Sequence, residues 1–502
     1  VDVIIVNRIF VRGIAMALLL LGFANAPALA QRGQDAPAAG VLALLPSDSV
    51  TEHTLDLGGQ KLAYTATAGT YSLFDRNGER SAAIFYTAYT LKGTDAGTRP
   101  VTFVFNGGPG ASSAYLHLGV VGPRVVDFSA NGDAADARLH DNPSTWLKFT
   151  DLVMIDPVGT GWSRAAKADK ASDFWSVDTD AETLAKVIAL YIAKNSRAAS
   201  PKYLLGESYG GFRSVKVARA LQEDQGILVN GIVMLSPFLE GRLQFAANRF
   251  PLGAALQLPS LAAAALDRKG SFTPEALAAA ERFALSDYLT ALAGKPLEGE
   301  AAKAFYAKVS DISGVPLDIV TRTRGVIGDA YTKNAGNADD SVASSYDAAT
   351  IAPDPFPESP SDDGPDPVLD GYTQALGGLF VGYARDTLGF KTDMTFNLLN
   401  REVSGKWDWG RRSSLGSASI ARDLRELLAL NPKLTVMVAH GRSDIVTPYS
   451  VSRYVIDHMP PLGSAKRVDL KLYKGGHMFY FDPASRAAFA SDAGAFYAAG
   501  EL

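Results

Sequence analysis

The stretch Lys202-Tyr203-Leu204-Leu205-Gly206-Glu207-Ser208-Tyr209-Gly210-Gly211-Phe212 decides how the chain is read. Its first four residues form a short, largely apolar run with the pattern of a buried strand. From Phe212 to Leu221 apolar residues return at helical spacing. Between them lies G-x-S-x-G, which in a strand–turn–helix setting forms a nucleophile elbow. Gly206 and Gly210 leave room for a strained turn that a Cβ would crowd. Such a turn lifts Ser208 Oγ clear of the sheet and frees the Tyr209 N–H. Chance alone readily produces G-x-S-x-G in a chain this rich in Gly and Ser, so the flanks and distant partners carry the weight. Ser208 is the candidate nucleophile.

Upstream, Val101-Thr102-Phe103-Val104-Phe105 reads as another strand and runs into Asn106-Gly107-Gly108-Pro109-Gly110-Ala111-Ser112-Ser113. A glycine cluster directly after a buried strand lets backbone N–H groups converge on one point, as an oxyanion hole requires. A plain tight turn is the alternative. Asn142-Pro143-Ser144-Thr145-Trp146 follows, and the strand Leu152-Val153-Met154-Ile155 then enters Asp156-Pro157-Val158-Gly159-Thr160-Gly161-Trp162-Ser163. Further upstream, residues 51–91 alternate polar with apolar, and Asn77-Gly78 is a hairpin signal between the runs. Antiparallel strands leading into a parallel sheet are expected.

In this order the four segments resemble the serine carboxypeptidase family, which carries N-G-G-P-G-C-S-S, N-x-x-S-W, D-Q-P-x-G-x-G-[FY]-S and G-E-S-Y-[AG]-G. The likeness is dense between residues 100 and 240. Thr145 stands for the Ser before Trp146, Trp162 for the Phe or Tyr, Ala111 for the Cys, and the Gln after Asp156 is missing. The resemblance implies an α/β-hydrolase sandwich with a mixed, mostly parallel sheet and a mainly helical cap insertion. In that architecture the acid and the base follow the nucleophile in the chain.

The downstream partners fit that order. Leu434-Thr435-Val436-Met437-Val438 is an apolar strand ending in His440-Gly441-Arg442-Ser443-Asp444. Asp444 therefore sits beyond the strand's C-terminal end, the edge where α/β sheets assemble their sites. Val468-Asp469-Leu470-Lys471-Leu472-Tyr473 leads to Gly475-Gly476-His477-Met478, which resembles the family's G-H-M at its histidine. The separation of 33 positions between Asp444 and His477 allows one helix and one strand. His440 is the rival base, but it precedes Asp444 and lacks a glycine-flanked loop.

These parts define a chemistry. His477 takes the Ser208 proton, Asp444 fixes the imidazole tautomer, and the N–H groups of Gly108 and Tyr209 hold the oxyanion. No metal or organic cofactor is required. The resemblance implies a serine-type carboxypeptidase that releases C-terminal residues from peptides. Esterase or acyltransferase chemistry on the same scaffold is one alternative, and a binding protein with a dead site is another.

The resemblance also implies that Asn106 and Glu207 bind the substrate's terminal carboxylate. The family's second glutamate, two positions before Gly122-Pro123, is Val120 here. Arg213 and Arg124 are candidate cationic partners for Glu207. A weaker preference for a free carboxylate and a less acidic pH optimum are therefore expected.

Composition is consistent with this frame. A net charge of −5 over 502 residues carries no nucleic-acid footprint. The absence of cysteine excludes disulfides, thiolate metal sites and a Cys nucleophile. Six dispersed histidines form no ligand cluster in sequence. The expected partner is a peptide engaged at its C-terminal end, while the oligomeric state is not specified.

Five segments are expected. Residues 1–30 read as a signal peptide: Arg8 and Arg12, the apolar run Ile14 to Phe23, then Ala28-Leu29-Ala30. Export to a periplasm or medium follows, with no membrane contact after cleavage; an uncleaved anchor is the alternative. Residues 31–50 read as a flexible lead-in, and 51–240 and 396–502 as the two parts of the hydrolase core. Residues 241–395 read as the cap, with a helix opened by Thr273-Pro274 and helical patches at 300–309 and 319–329. Its acidic, Pro-rich stretch 352–368 reads as an exposed loop, because it lacks calcium-loop spacing. Trp162, Trp175, Tyr115 and His117 read first as packing residues, and 482–497 as a helix on the sheet.

Overall fold

The chain enters its sheet through three antiparallel strands, β1 (Ser49–Leu57), β2 (Gln60–Phe74) and β3 (Arg80–Leu91). Asp75 closes the turn between the last two by accepting the N–H groups of Asn77 and Glu79, with Gly78 at φ +79°. β4 (Val101–Phe105) is followed by a ribbon of β5 (Arg124–Asp127) and β6 (Arg138–Asp141). Then come β7 (Asp151–Ile155), the short β8 (Arg164–Ala165), β9 (Lys202–Glu207) and β10 (Gly231–Leu235). A second ribbon, β11 (Ser341–Ala343) with β12 (Ile351–Pro353), precedes β13 (Thr435–Gly441) and β14 (Val468–Tyr473). The main sheet runs β1-β2-β3-β7-β4-β9-β10-β13-β14, with β8 on β3 and every pairing from β7 to β14 parallel. This computed structural model describes residues 40–128, 134–336, 340–411, 413–463 and 466–500, so the expected signal segment lies outside the described residues.

The central strands are apolar on both faces because helices cover both. One face packs Val215, Leu221, Leu184 and Ile188 from helices Val177–Lys194 and Tyr209–Gln225. The other packs Phe489 and Tyr497 from helix Pro483–Gly500, and Leu376 and Phe380 from helix Leu369–Asp386. Ser176 caps the first of these helices through the Thr179 N–H, and Gly226 ends the second in the left-handed region.

The inserted region is mainly helical, and it divides by packing. Helices Pro251–Arg268, Gly299–Ser313, Leu317–Arg322 and Gly328–Asn334 build a separate core around Leu258, Leu261, Val309 and Tyr331. The helix opened by Thr273 runs Pro274–Phe283, with Thr273 capping Ala276 N–H, and continues through a π-turn to Ala293. The expected patch 319–329 is two helices, because Arg324 and Gly325 both take positive φ. Residues 369–394 pack instead into the sheet core, where Phe380 and Phe390 meet Phe85 and Trp162.

One other expectation is corrected. The lead-in is structured from Gly40, since Leu42 is buried in a 3-10 turn and Asp48 accepts from Thr70 N–H and Lys194. The acidic stretch is largely exposed, as expected, and is anchored near its ends: Asp354 pairs with Lys333 at 2.5 Å, and Asp366 accepts the N–H groups of Val368 and Leu369.

At the opposite edge from the elbow, buried Asp151 joins three elements. It accepts from Arg197 at 2.5 Å, from Arg99 at 2.8 Å and from Leu91 N–H at 3.0 Å. Removing one partner strands buried charge. We predict that Asp151→Ala costs about 3–5 kcal/mol, read as a lower urea midpoint, with the catalytic geometry unaffected in the molecules that remain folded.

Candidate active site

The elbow is held by contacts that only glycine permits. Ser208 sits at φ 59°, ψ −124°, a conformation L-residues rarely adopt. Its N–H donates to Leu235 O at 2.9 Å, and helix Tyr209–Gln225 starts at the next residue. A Cβ on Gly206 would overlap Gly210 O, and one on Gly210 would lie 2.5 Å from Phe105 O. A Cβ on Gly107 would lie 2.6 Å from Glu207 O and 2.7 Å from Tyr209 N. The loops after β4 and β9 thus meet backbone to backbone.

A small cavity of about 70 Å³ opens there. Asn106, Gly107, Gly108, Glu207, Ser208 and His477 line it, with Ala111, Tyr115, Tyr346, Leu369, Leu399 and Met478 completing the wall. His477 Nδ1 lies 2.8 Å from Asp444 Oδ2, which leaves Nε2 as the ring nitrogen available to a substrate or to Ser208. Asp444 is fully buried, and both its oxygens are satisfied: Oδ1 by the N–H groups of Val446 and Thr447, Oδ2 by Thr447 Oγ1 at 2.7 Å and His477. Burial alone would depress the His477 imidazole. The charge and hydrogen bond of Asp444, with Glu207 and Asp366 further out, carry it above the ordinary histidine value. His440 faces away: it is buried, bonded through Nε2 to Ser452 Oγ at 2.8 Å, and pushed down to about 3 by burial. Thr447 and Ser236 escaped the sequence reading. Ser236 Oγ donates to His477 O and Thr447 Oγ1 lies 2.8 Å from Ser236 O, contacts that no local spacing signals.

Glu207 lies beside Ser208, and among the described residues no lysine or arginine pairs with it. Arg213 is spent on Asp180 at 2.6 Å and on Asn106 O, and Arg124 on Asp141 at 2.8 Å, so neither is the expected partner. Neutral donors replace them: Asn106 Nδ2 reaches Glu207 Oε2, and Tyr480 OH reaches Oε1 at 2.8 Å. Burial pushes Glu207 up to about 7, against the lowering influence of His477 and of these two hydrogen bonds. Val120, where the resembling family has glutamate, is buried in a π-turn, His117–Val121. In that turn Gly119 packs so closely on the Tyr480 ring that a Cβ would lie 2.6 Å from it.

Two of the motifs prove to be braces. Asn142 Nδ2 donates to Val120 O and Gly122 O, and Thr145 Oγ1 to Val121 O, fixing that π-turn. Asp156 Oδ1 accepts Ser113 N–H and Oγ, both at 2.7 Å, anchoring the far end of the glycine loop. Trp162 and Trp175 are core residues whose indole N–H groups donate to Met394 O and Val158 O. His117 is buried against Tyr89, while Tyr115 packs and also lines the cavity. Among the described residues no group of histidine and acidic side chains is arranged to hold a metal.

This arrangement of sheet, elbow and downstream histidine is that of an α/β-hydrolase. The crystal structure of Kex1Δp, a prohormone-processing carboxypeptidase from Saccharomyces cerevisiae, superposes with a TM-score of 0.55. It is 16% identical and covers 86% of this chain and 91% of its own. Residues 62–237 match the family described as serine carboxypeptidase. Pheromone-processing carboxypeptidase KEX1 of Yarrowia lipolytica is 30% identical over 151 residues, 29% of this chain and 23% of that protein. Serine carboxypeptidase 1 of Hordeum vulgare is 36% identical over 124 residues, 23% of each. Serine carboxypeptidase-like 22 of Arabidopsis thaliana is 26% identical over 203 residues, 39% of this chain and 41% of that protein. The matches span less than half the length of each of these relatives.

The raised Glu207 has a consequence for stability. Below pH 4.5 the carboxyl is protonated in both folded and unfolded chains, so burial costs nothing extra. Between 4.5 and about 7 the unfolded chain ionises while the folded one resists, so stability falls as pH rises. We predict that Glu207→Gln abolishes this loss, gaining on the order of 3 kcal/mol over wild type across that window. Denaturant titrations at pH 4.5 and 7.5 check it; parallel pH dependence in the two proteins would refute it.

Proposed function

We propose that the protein is a serine carboxypeptidase-type hydrolase acting through Ser208, His477 and Asp444. One observation carries this reading: Ser208 and His477 share a small cavity walled by Gly107 and Gly108, while Asp444 holds Nδ1. His477 Nε2 takes the Ser208 proton as Oγ attacks the scissile carbonyl. The N–H groups of Gly108 and Tyr209 receive the oxyanion, each worth about 3–4 kcal/mol when removed. The imidazolium then protonates the leaving amine, and water resolves the acyl-enzyme by the same route. Ser208→Ala, His477→Ala and Asp444→Asn should each lower kcat by on the order of 10⁴. Normal turnover in His477→Ala with loss in His440→Ala would assign the base to His440.

Asn106 and Glu207 are the residues proposed to meet the peptide's C-terminal carboxylate. Protonated Glu207 can donate to that carboxylate, and ionised Glu207 repels it. With neutral partners only, this switch centres near the Glu207 value of about 7. We expect kcat/KM for a peptide free acid, relative to its amide, to fall as pH rises from 5 to 8. Glu207→Gln should flatten that ratio. A strong, pH-independent preference for the free acid would contradict this role.

Val120 and the uncharged partners of Glu207 also favour a second reading, in which uncharged esters are the better substrates. Esterase turnover exceeding peptide turnover under matched conditions would select it.

Export is proposed for the chain on its N-terminal pattern. No helix among the described residues is long and apolar enough to cross a membrane. N-terminal sequencing of the active protein should begin near Gln31; a retained Arg8–Phe23 segment would mean an anchor.

A further inference from the structure

A short strap from the inserted region touches both the acid loop and the base loop. It spans Ser344 to Thr350, between β11 and β12. His477 N–H donates to Tyr346 O at 2.5 Å, and the Tyr346 ring meets the imidazole edge-on at 5.1 Å. Gly476 admits this contact, since a Cβ there would run into Tyr346 O and the Asp347 backbone. On the acid side, Ser443 Oγ donates to Asp347 Oδ1 at 2.6 Å and Ala348 N–H to Ser443 O at 3.0 Å. Ile445 N–H reaches Ser345 O at 3.3 Å, so the strap bonds to both neighbours of Asp444. Ser443 N–H also donates to Gly475 O, closing a ring through strap, acid loop and base loop.

The strap is itself pinned to the inserted helices. Asp366 accepts Ser344 Oγ, Ser345 N–H and Ser345 Oγ at 2.7–2.8 Å. Arg268, from the long inserted helix, donates to Ala348 O at 2.6 Å. Asp347 is half-buried by exposure, and its carboxylate is fully engaged by Ser443, Ala349 N–H and Thr350. On the opposite side His477 O is held by Ser236 at the end of β10. The base is therefore suspended between the sheet edge and the inserted region.

We infer that the strap, through Asp347 and the Tyr346 carbonyl, is a positioning device that sets His477 against Asp444 and Ser208. Asp347 touches neither substrate nor reacting atoms and acts through Ser443. This rests on the triad reading above. A misplacement approaching 1 Å at a reacting group costs up to about 100-fold in rate.

The test compares Asp347→Ala and Asp347→Asn with wild type. Active sites are counted by titration with a serine-reactive phosphonate, so that misfolded molecules do not enter the rate. Asp347→Ala should lose roughly 10- to 100-fold in kcat per titrated site, with KM changed by less than about 3-fold. Asp347→Asn keeps an oxygen that accepts from Ser443 and should recover most of that loss. The low-field proton resonance of His477 Nδ1–H should move in the Ala variant and return in the Asn variant. A kcat per titrated site within about 2-fold of wild type in Asp347→Ala overturns the inference. So does an Asn variant as slow as the Ala variant. Ser208→Ala separates the two claims: turnover that survives it defeats the triad reading, whereas its loss beside a fully active Asp347→Ala defeats the strap alone.

Discussion

The site depends on one constraint, the absence of room for a Cβ where the loops after β4 and β9 touch. These strands are parallel neighbours with Phe105 paired to Gly206, so their loops leave the sheet side by side. Gly107 can then lie against the Glu207 carbonyl and the Tyr209 N–H, and Gly210 against the Phe105 carbonyl. Any side chain would push the loops apart and separate the Gly108 and Tyr209 N–H groups proposed to receive the oxyanion. The braces from Asn142, Thr145 and Asp156 serve this contact, because they stop the glycine loop and the following π-turn from relaxing away.

Two buried carboxylates within this frame are treated differently. Asp444 receives two backbone N–H groups, a hydroxyl and the imidazole, a donor set that fixes its orientation toward His477. Glu207 receives one amide and one phenol, and desolvation pushes its value up to about 7. His477 is hydrogen-bonded to Asp444 and feels the charge of Glu207. Both groups are buried, and they differ in the number and type of donors each receives.

The inserted region does more than roof the sheet. Its strap bonds to residues 443, 445 and 477, so the loops beyond β13 and β14 are completed by chain from another part of the sequence. Helix Leu369–Asp386 belongs by packing to the sheet core, while the helices between 251 and 334 keep a core of their own. The insertion is therefore joined to the sheet-bearing body along its own length, at the loops beyond β13 and β14.

What the sequence by itself determined is what local spacing controls. An apolar run, glycines at 206 and 210 and a helical period fix a strained turn at Ser208. A glycine-flanked histidine and an aspartate beyond a strand end mark His477 and Asp444, because chain order and strand-end placement follow from connectivity. The hairpin at Gly78 and the helix opened by Thr273 were legible for the same reason. Tertiary structure alone decided the partners. Arg213 and Arg124 look available to Glu207 in the sequence, yet Asp180 and Asp141 take them, and a tyrosine three residues past the histidine supplies the hydrogen bond instead. Tyr346, Ser236 and Thr447 reach His477 only because strand order brings the ends of β10, β13 and β14 beneath the β11–β12 ribbon. Local backbone geometry is written in neighbouring residues, but which side chain satisfies a buried polar atom depends on packing among segments that are not adjacent in the chain.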